Sequence, residues 1–125
     1  MATKNLDTTI ILKAADPING VLTLDTTVFK AVSYDDTSVS TSTTTIATGS
    51  TPTQIINKSV TKLTYVYIKN TDSTNYITLY NDDKEDWGRL LPGEWAFFPV
   101  APSVGFEATA NTADVIIEIA IFTAP

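Results

Sequence analysis

A run of short β-strand patterns from Lys62 to Phe122 is the feature that most constrains the fold of this 125-residue chain. Turn-forming residues interrupt the run at regular intervals, which is typical of an antiparallel sandwich or barrel. No segment shows helical periodicity over three turns, so we predict one domain over residues 1–125, a single antiparallel β-sandwich with negligible helix. The predicted strands are Leu63–Lys69, Tyr76–Tyr80, Trp87–Leu90, Trp95–Phe98 and Val115–Phe122, with a sixth candidate at Val104–Ala108.

The N-terminal half continues the strand pattern less regularly. Residues 1–7 are polar and predict a loose arm, and the Asn-Gly pair within Asp16–Gly20 predicts a turn. Segment 35–53 is rich in Ser and Thr; hydroxyl side chains favour irregular structure, whereas Thr favours strands, so an exposed loop and a polar edge strand both remain open. The further predicted strands are Thr8–Ala14, Val21–Leu24, Thr27–Tyr34 and Thr53–Asn57.

The sharpest local signal is the tetrapeptide Leu91-Pro92-Gly93-Glu94. Proline fixes φ at the first turn position and glycine accepts a positive φ at the second, so we predict a tight hairpin. Pairing outward from this turn predicts three cross-strand neighbours: Leu90 with Trp95, Gly88 with Phe97 and Trp87 with Phe98.

Composition removes most catalytic chemistry. The chain has no His and no Cys, so Ser-His-Asp and Cys-His arrangements cannot form, and no carboxylate pair is singled out for acid–base work. We therefore predict a protein that is not an enzyme and needs no cofactor. The net charge of −6 opposes binding to nucleic acid, and no apolar stretch approaches the roughly 20 residues of a membrane-spanning helix.

An acidic cluster at Asn81–Asp86 is the best candidate for a metal site. Closely spaced carboxylates can bind Ca²⁺ through their oxygens, but the cluster lacks the ligand spacing and central glycine of an EF-hand loop. A solvated turn between two strands explains the same residues more simply, so we predict no metal.

The aromatic residues and the single arginine supply the candidate interface. Arginine and aromatic residues are enriched where proteins meet, although aromatics also fill cores and can form stacking platforms for sugar rings. The candidate interface residues are Tyr65, Tyr67, Trp87, Arg89, Trp95 and Phe97. A carbohydrate-binding module that uses Trp87 or Trp95 is the rival interpretation.

The C-terminal half combines an Asn turn between strands, the Leu-Pro-Gly-Glu turn, a following proline and a final apolar strand. The residues concerned are Ile68–Asp72, Tyr76–Tyr80, Leu90–Glu94, Phe98–Val100 and Val115–Glu118. Through these motifs the stretch from Tyr67 to Phe122 resembles small all-β virion proteins of tailed bacteriophages, which have jelly-roll or immunoglobulin-like sandwiches. The resemblance implies a structural role in the virion, assembled in the host cytoplasm, as a capsid decoration (cement) protein or a tail or neck component. The implied partners are the major capsid protein or other virion proteins.

Self-association follows from strands that are apolar on both faces. Leu63–Ile68 and Val115–Phe122 have this property, whereas a two-layer sandwich covers only one face of each sheet. A second copy of the chain would cover the other face; loops such as 35–53 folding over it are the alternative. We expect a homo-oligomer, with a trimer favoured because shell lattices offer three-fold positions.

Overall fold

The computed structural model describes residues 2–14 and 24–125, which contain ten β-strands and no helix. All pairings between these strands are antiparallel, which confirms the prediction of an all-β antiparallel sandwich. The strands are β1 (Thr3–Ala14), β2 (Leu24–Asp35), β3 (Val39–Ile46), β4 (Thr53–Ile56), β5 (Thr64–Asn70), β6 (Ile77–Tyr80), β7 (Asp86–Leu90), β8 (Trp95–Val100), β9 (Phe106–Ala110) and β10 (Val115–Thr123).

Strands β3 to β10 form two four-stranded sheets with the topology of a jelly roll. The first sheet has the order β3-β10-β5-β8 and the second has the order β4-β9-β6-β7. The pairs β3–β10, β4–β9, β5–β8 and β6–β7 are nested, as if one long hairpin with its tip at β6–β7 were rolled up. The resemblance implied a sandwich of the jelly-roll or the immunoglobulin-like type, and this topology is that of the jelly roll.

The core lies between the two sheets. In β5 buried and half-buried residues alternate, and in β10 Val115, Ile117 and Ile119 are buried while Ile116 and Glu118 are exposed. This period of two follows from the pleat, which sends successive side chains to opposite faces. The fully buried aliphatic and aromatic side chains from both sheets are Ile46, Val66, Ile68, Ile77, Leu79, Phe106, Val115 and Ile117.

The Ser/Thr-rich segment supplies an edge strand. Of the two alternatives for 35–53, the edge strand is correct for Val39–Ile46, which pairs only with β10. Its middle residues are exposed, whereas Ile46 is fully buried. A polar edge strand of this kind forms backbone hydrogen bonds with its one neighbouring strand, and its free edge offers little apolar surface for pairing with another sheet.

Before the jelly roll, β1 and β2 form a separate two-stranded hairpin of twelve residues on each side. The prediction of a loose arm over 1–7 is wrong for Thr3–Asp7, because these residues pair with the second half of β2. The predicted turn at Asp16–Gly20 and most of the predicted strand Val21–Leu24 lie outside the described residues. This hairpin, and not the segment 35–53, lies against the outer face of the first sheet.

The turn at Leu91–Glu94 forms as predicted, but the pairing expected around it is wrong. Gly93 has a φ of 79° and the amide of Glu94 donates to the carbonyl of Leu91 at 3.0 Å. The turn joins two different sheets, since β7 pairs with β6 and β8 pairs with β5. Leu90 is therefore opposite Ile77, Gly88 is opposite Leu79, and Phe97 is opposite Tyr67. Of the predicted neighbours, Trp87 and Phe98 do meet, across the gap between the sheets.

One buried polar side chain connects the sheets at the end near this turn. Asn70 is fully buried, and its amide group donates to the carbonyls of Asn75 at 2.9 Å and Leu90 at 3.1 Å. Its side-chain oxygen accepts a hydrogen bond from the amide of Asp72 at 2.9 Å. Because these bonds satisfy the side chain, it can be buried at the end of β5 without an unpaired polar group.

Candidate functional site

The outer face of the first sheet, on β5, β8 and β10, is rich in aromatic residues. Tyr67 is directly opposite Phe97, and Tyr65 stacks diagonally on Phe97 with ring centroids 6.1 Å apart and planes within 4°. Trp95 follows on the same face of β8, opposite Lys69, and 54% of its surface is exposed. Four of the six predicted interface residues thus form one continuous patch.

The N-terminal hairpin covers part of this patch. Tyr34 of β2 packs edge-on against Phe122 of β10, with centroids 5.1 Å apart. A groove of about 390 Å³ remains beside β1, with Leu6 and Ile10 on its hairpin side and Tyr67, Trp95, Phe97 and Phe122 on its sheet side. The second apolar face that the sequence predicted for β5 and β10 is therefore covered in part by the chain itself.

Beyond its base, the hairpin exposes a concentration of apolar side chains. Among the described residues eleven large hydrophobic side chains are exposed, and five of them lie on the hairpin: Ile10, Ile11, Leu12, Val28 and Phe29. Sequence reasoning did not include these five among the interface candidates. Two features of the sequence could have indicated them: the apolar run 10–12, and the predicted strand Thr27–Tyr34 with apolar residues on both faces. A two-stranded hairpin cannot bury both of its faces, so some of these side chains had to be exposed.

The two other predicted interface residues, Trp87 and Arg89, lie on β7 in the second sheet and not in this patch. Trp87 is the extra residue of a β-bulge, because Gly88 is opposite Leu79 whereas Asp86 is opposite Tyr80. A bulge re-aims the side chain of its extra residue. Here the indole is turned toward the opening between the two sheets.

The Trp87 indole forms one wall of a second cavity. It packs edge-on against Phe98 at 5.1 Å and obliquely against Phe106 at 6.0 Å, and 53% of its surface is exposed. The cavity measures about 350 Å³ and is mostly apolar, with Asn81 and Val104 also at its walls. A smaller set of residues around the same indole lines a more polar depression, namely Thr78, Asp86 and Arg89.

Arg89 makes a cation–π contact. Its guanidinium carbon lies 4.0 Å from the centroid of the Tyr76 ring, and the side chain is exposed. The Tyr76 ring, immediately before β6, thus holds the cation within the chain, and a role of Arg89 in an interface remains a prediction.

The acidic cluster at Asn81–Asp86 forms a turn. The side-chain oxygen of Asn81 accepts hydrogen bonds from the amides of Asp83 and Glu85, both at 3.0 Å. Lys84 has a φ of 67°, and its Nζ lies 2.7 Å from both carboxylate oxygens of Glu107, a side chain only 3% exposed. The cluster's side chains are thus directed to turn contacts and an ion pair.

Residues 2–14 and 24–125 contain no group of three or more acidic side chains that could hold a metal ion. No helix among them has the length and apolar character needed to span a bilayer.

Comparison of the chain with protein-family models, with curated proteins and with solved structures found no match. The candidate site therefore rests on geometry alone. It consists of the groove between the hairpin and the first sheet, together with the exposed distal half of the hairpin.

Proposed function

We propose that the chain is a non-enzymatic structural protein of a tailed-phage particle, bound to the head as a decoration protein. The observation that carries the proposal is the projecting hairpin, which holds five of the eleven exposed large hydrophobic side chains of the described residues. Concentrated apolar surface of this kind marks sites of protein–protein contact. The resemblance of Tyr67–Phe122 to small virion proteins is the reason for proposing a phage particle as the binding partner.

The physical action of such a protein is to stabilise an assembled shell by binding it. A ligand that binds the assembled state and not its free subunits shifts the equilibrium toward assembly, by an amount that grows with its concentration and affinity. The jelly roll suits this work because its nested pairings join distant parts of the chain into two sheets around one core. Attachment at the tail or neck would use the same surfaces and is the alternative location.

Add-back to undecorated heads tests the proposal. Heads are prepared from a phage in which the coding sequence is disrupted, mixed with the purified chain, and pelleted through a density gradient. We expect saturable co-sedimentation with heads and higher resistance of the heads to heat. Binding only to isolated tails would move the protein to the alternative location, and a chain that stays in the supernatant with both would reject the proposal.

A second candidate, carbohydrate binding at Trp87, is supported by the bulge that turns the indole toward the opening between the sheets. Half of its surface remains free, and polar groups of Asp86 and Arg89 flank it. An aromatic ring with polar neighbours can stack on the apolar face of a sugar. Glycan-array binding that is lost in Trp87→Ala and kept in Trp95→Ala would establish it, because Trp95 is equally exposed on another sheet. Absence of binding by the unaltered protein would remove it.

A further inference from the structure

One face of the N-terminal hairpin carries large apolar side chains along its length, between lysines and threonines, and is covered only at its base. From Lys4 to Leu12 and across their partners on β2, alternation along the paired strands puts six large apolar side chains on this face. At the base they are half-buried against the chain's own first sheet, and farther along they are exposed by 38%, 51% and 53%. The covered members are Leu6, Val32 and Tyr34, and the uncovered members are Ile10, Leu12 and Val28.

A hairpin with only two strands is marginally stable in water unless a third element packs against it. The base of this hairpin has such a partner, the aromatic outer face of the first sheet, where Tyr34 meets Phe122. The distal half has the same alternation and the same kind of side chain, but Ile10 only borders the groove, and Leu12 and Val28 are more than half exposed. A surface like the outer face of the first sheet would complete it.

That surface is itself only partly covered. The groove beside β1 is open at its sheet side, where Trp95 is 54% exposed, and Ile116 on the same face of β10 is 55% exposed. The aromatic surface that receives the hairpin base therefore extends beyond the base. Each copy of the chain carries both an uncovered hairpin half and an uncovered part of the matching sheet face.

Charge allows two copies to meet here despite the net charge of −6. Within β1 and β2 as described, the apolar face carries Lys4 and Lys30 and no carboxylate, because Asp7 and Asp25 occupy the opposite face. The sheet face has Lys69 directly opposite Glu118. Asp7 is the one carboxylate among the residues that line the groove, so neither surface concentrates negative charge at the contact and like-charge repulsion is small.

We propose that the distal half of the hairpin of one copy lies on the outer face of the first sheet of a second copy, continuing the contact that the base makes within its own chain. Ile10, Leu12 and Val28 contact the neighbour's Trp95 side of the groove. Because each copy carries both surfaces, two copies can make the contact reciprocally, and a reciprocal contact closes a symmetric dimer. The contact deepens the proposed function by giving the decoration protein its own assembly surface, and it does not require the particle.

Light scattering coupled to size exclusion, with the full chain at micromolar concentration, tests the inference. We expect the mass of an assembly of two or more copies of the 13.5 kDa chain. Leu12→Lys places a charge on the uncovered apolar face and should raise the dissociation constant roughly ten- to hundredfold, the loss expected for one buried aliphatic side chain. The matched control is Ile11→Lys, which changes an exposed aliphatic residue on the opposite face of the same strand and should leave the mass unchanged.

Three results overturn the inference: a 13.5 kDa species across the micromolar range, an oligomer unaffected by Leu12→Lys, or equal dissociation by both variants. Circular dichroism of each variant separates dissociation from unfolding, because neither side chain belongs to the buried core. A monomer in solution that still binds heads would reject this contact and retain the proposed function. An oligomer that binds no particle would retain this contact and reject the proposed function.

Discussion

The ring of Tyr34 packs edge-on against the ring of Phe122, with centroids 5.1 Å apart and planes inclined by 67°. This contact joins the N-terminal hairpin to the jelly roll, because Tyr34 lies near the end of β2 and Phe122 lies near the end of β10. Edge-on aromatic pairs contribute about 0.5–1.5 kcal/mol beyond the area they bury. The contact between Tyr34 and Phe122 therefore helps to hold the hairpin in place beside the groove.

We expect Tyr34→Ala to loosen the hairpin while the jelly roll stays folded. Loss of the ring removes the contact with Phe122 but no side chain of the core between the sheets. Hydrogen exchange followed by mass spectrometry should show faster exchange in β1 and β2 and unchanged exchange in β5 and β10. Phe29→Ala is the control, since this ring is 62% exposed on the opposite face. Equal acceleration in both variants would show that Tyr34 does not anchor the hairpin.

Replacement of Asn70 should destabilise the whole sandwich. In Asn70→Ala the carbonyls of Leu90 and Asn75 lose their side-chain donors near the end of the core. We expect a loss of about 1–3 kcal/mol in the free energy of unfolding, the range for a buried polar group left without a partner. Urea denaturation measures it. Asn5→Ala, which removes only an exposed bond of 3.2 Å to Ser33, should change the midpoint little; equal midpoints for both variants would contradict this role of Asn70.

The ion pair between Lys84 and Glu107 should contribute more than an ordinary surface pair. Lys84→Met leaves the Glu107 carboxylate, 3% exposed, without its cation, and we expect a loss of about 1–3 kcal/mol. The additional change Glu107→Gln should recover part of this loss, because the buried charge is then removed. Lys58→Met is the matched control: its 3.7 Å pair with Asp83 is exposed at both ends, so we expect less than about 1 kcal/mol. Urea denaturation of the four proteins decides the point, and equal losses for the two lysine variants would be the contrary result.

Stability should fall in acid because of two turn carboxylates. The pKa of Asp72 is lowered from 3.8 by hydrogen bonds from the amides of Asn75 and Thr74, and the pKa of Asp35 is lowered from the same value by the amide and hydroxyl of Thr37. A carboxyl with a lowered folded-state pKa stabilises the fold above its unfolded value and loses this contribution as pH falls through the folded value. These two carboxyls should therefore not change the urea midpoint above about pH 5, and their protonation should lower the midpoint below pH 3.8.

Asp72→Asn tests the assignment to one of these carboxylates. An amide oxygen can still accept the hydrogen bonds of the turn but does not titrate in this range. The decline of the urea midpoint below pH 4 should therefore be shallower in the variant than in the unaltered protein. Curves that remain parallel down to pH 2 would show that Asp72 has no share in the acid sensitivity.

The strands of the C-terminal half were predictable because each has local alternation and a turn signal at its end. The run from Val115 to Phe122 is an example, since its two apolar faces indicated a central strand and β10 does lie between β3 and β5. The partner of each strand was not predictable in this way. Pro92 and Gly93 determine that the chain turns, but the choice between pairing with the preceding strand and crossing to the other sheet depends on contacts distant in sequence.

The candidate site was predictable in part for the same reason. Tyr65, Tyr67, Trp95 and Phe97 share one face because alternation places them there once β5 pairs with β8. Trp87 and Arg89 were separated from them by the crossing between sheets. The bulge at Trp87 and the register that unites Ile10 with Val28 on the hairpin are properties of pairing, which no single strand pattern reveals.

Cryo-electron microscopy of the phage head tests the central claim most directly. The proposal that the chain decorates a phage head predicts density for the eight-stranded jelly roll on the outer surface of the capsid shell in purified particles, and no such density in particles made without the coding sequence. A capsid surface that is identical in the two reconstructions, with the chain absent from the purified particles, would contradict the account.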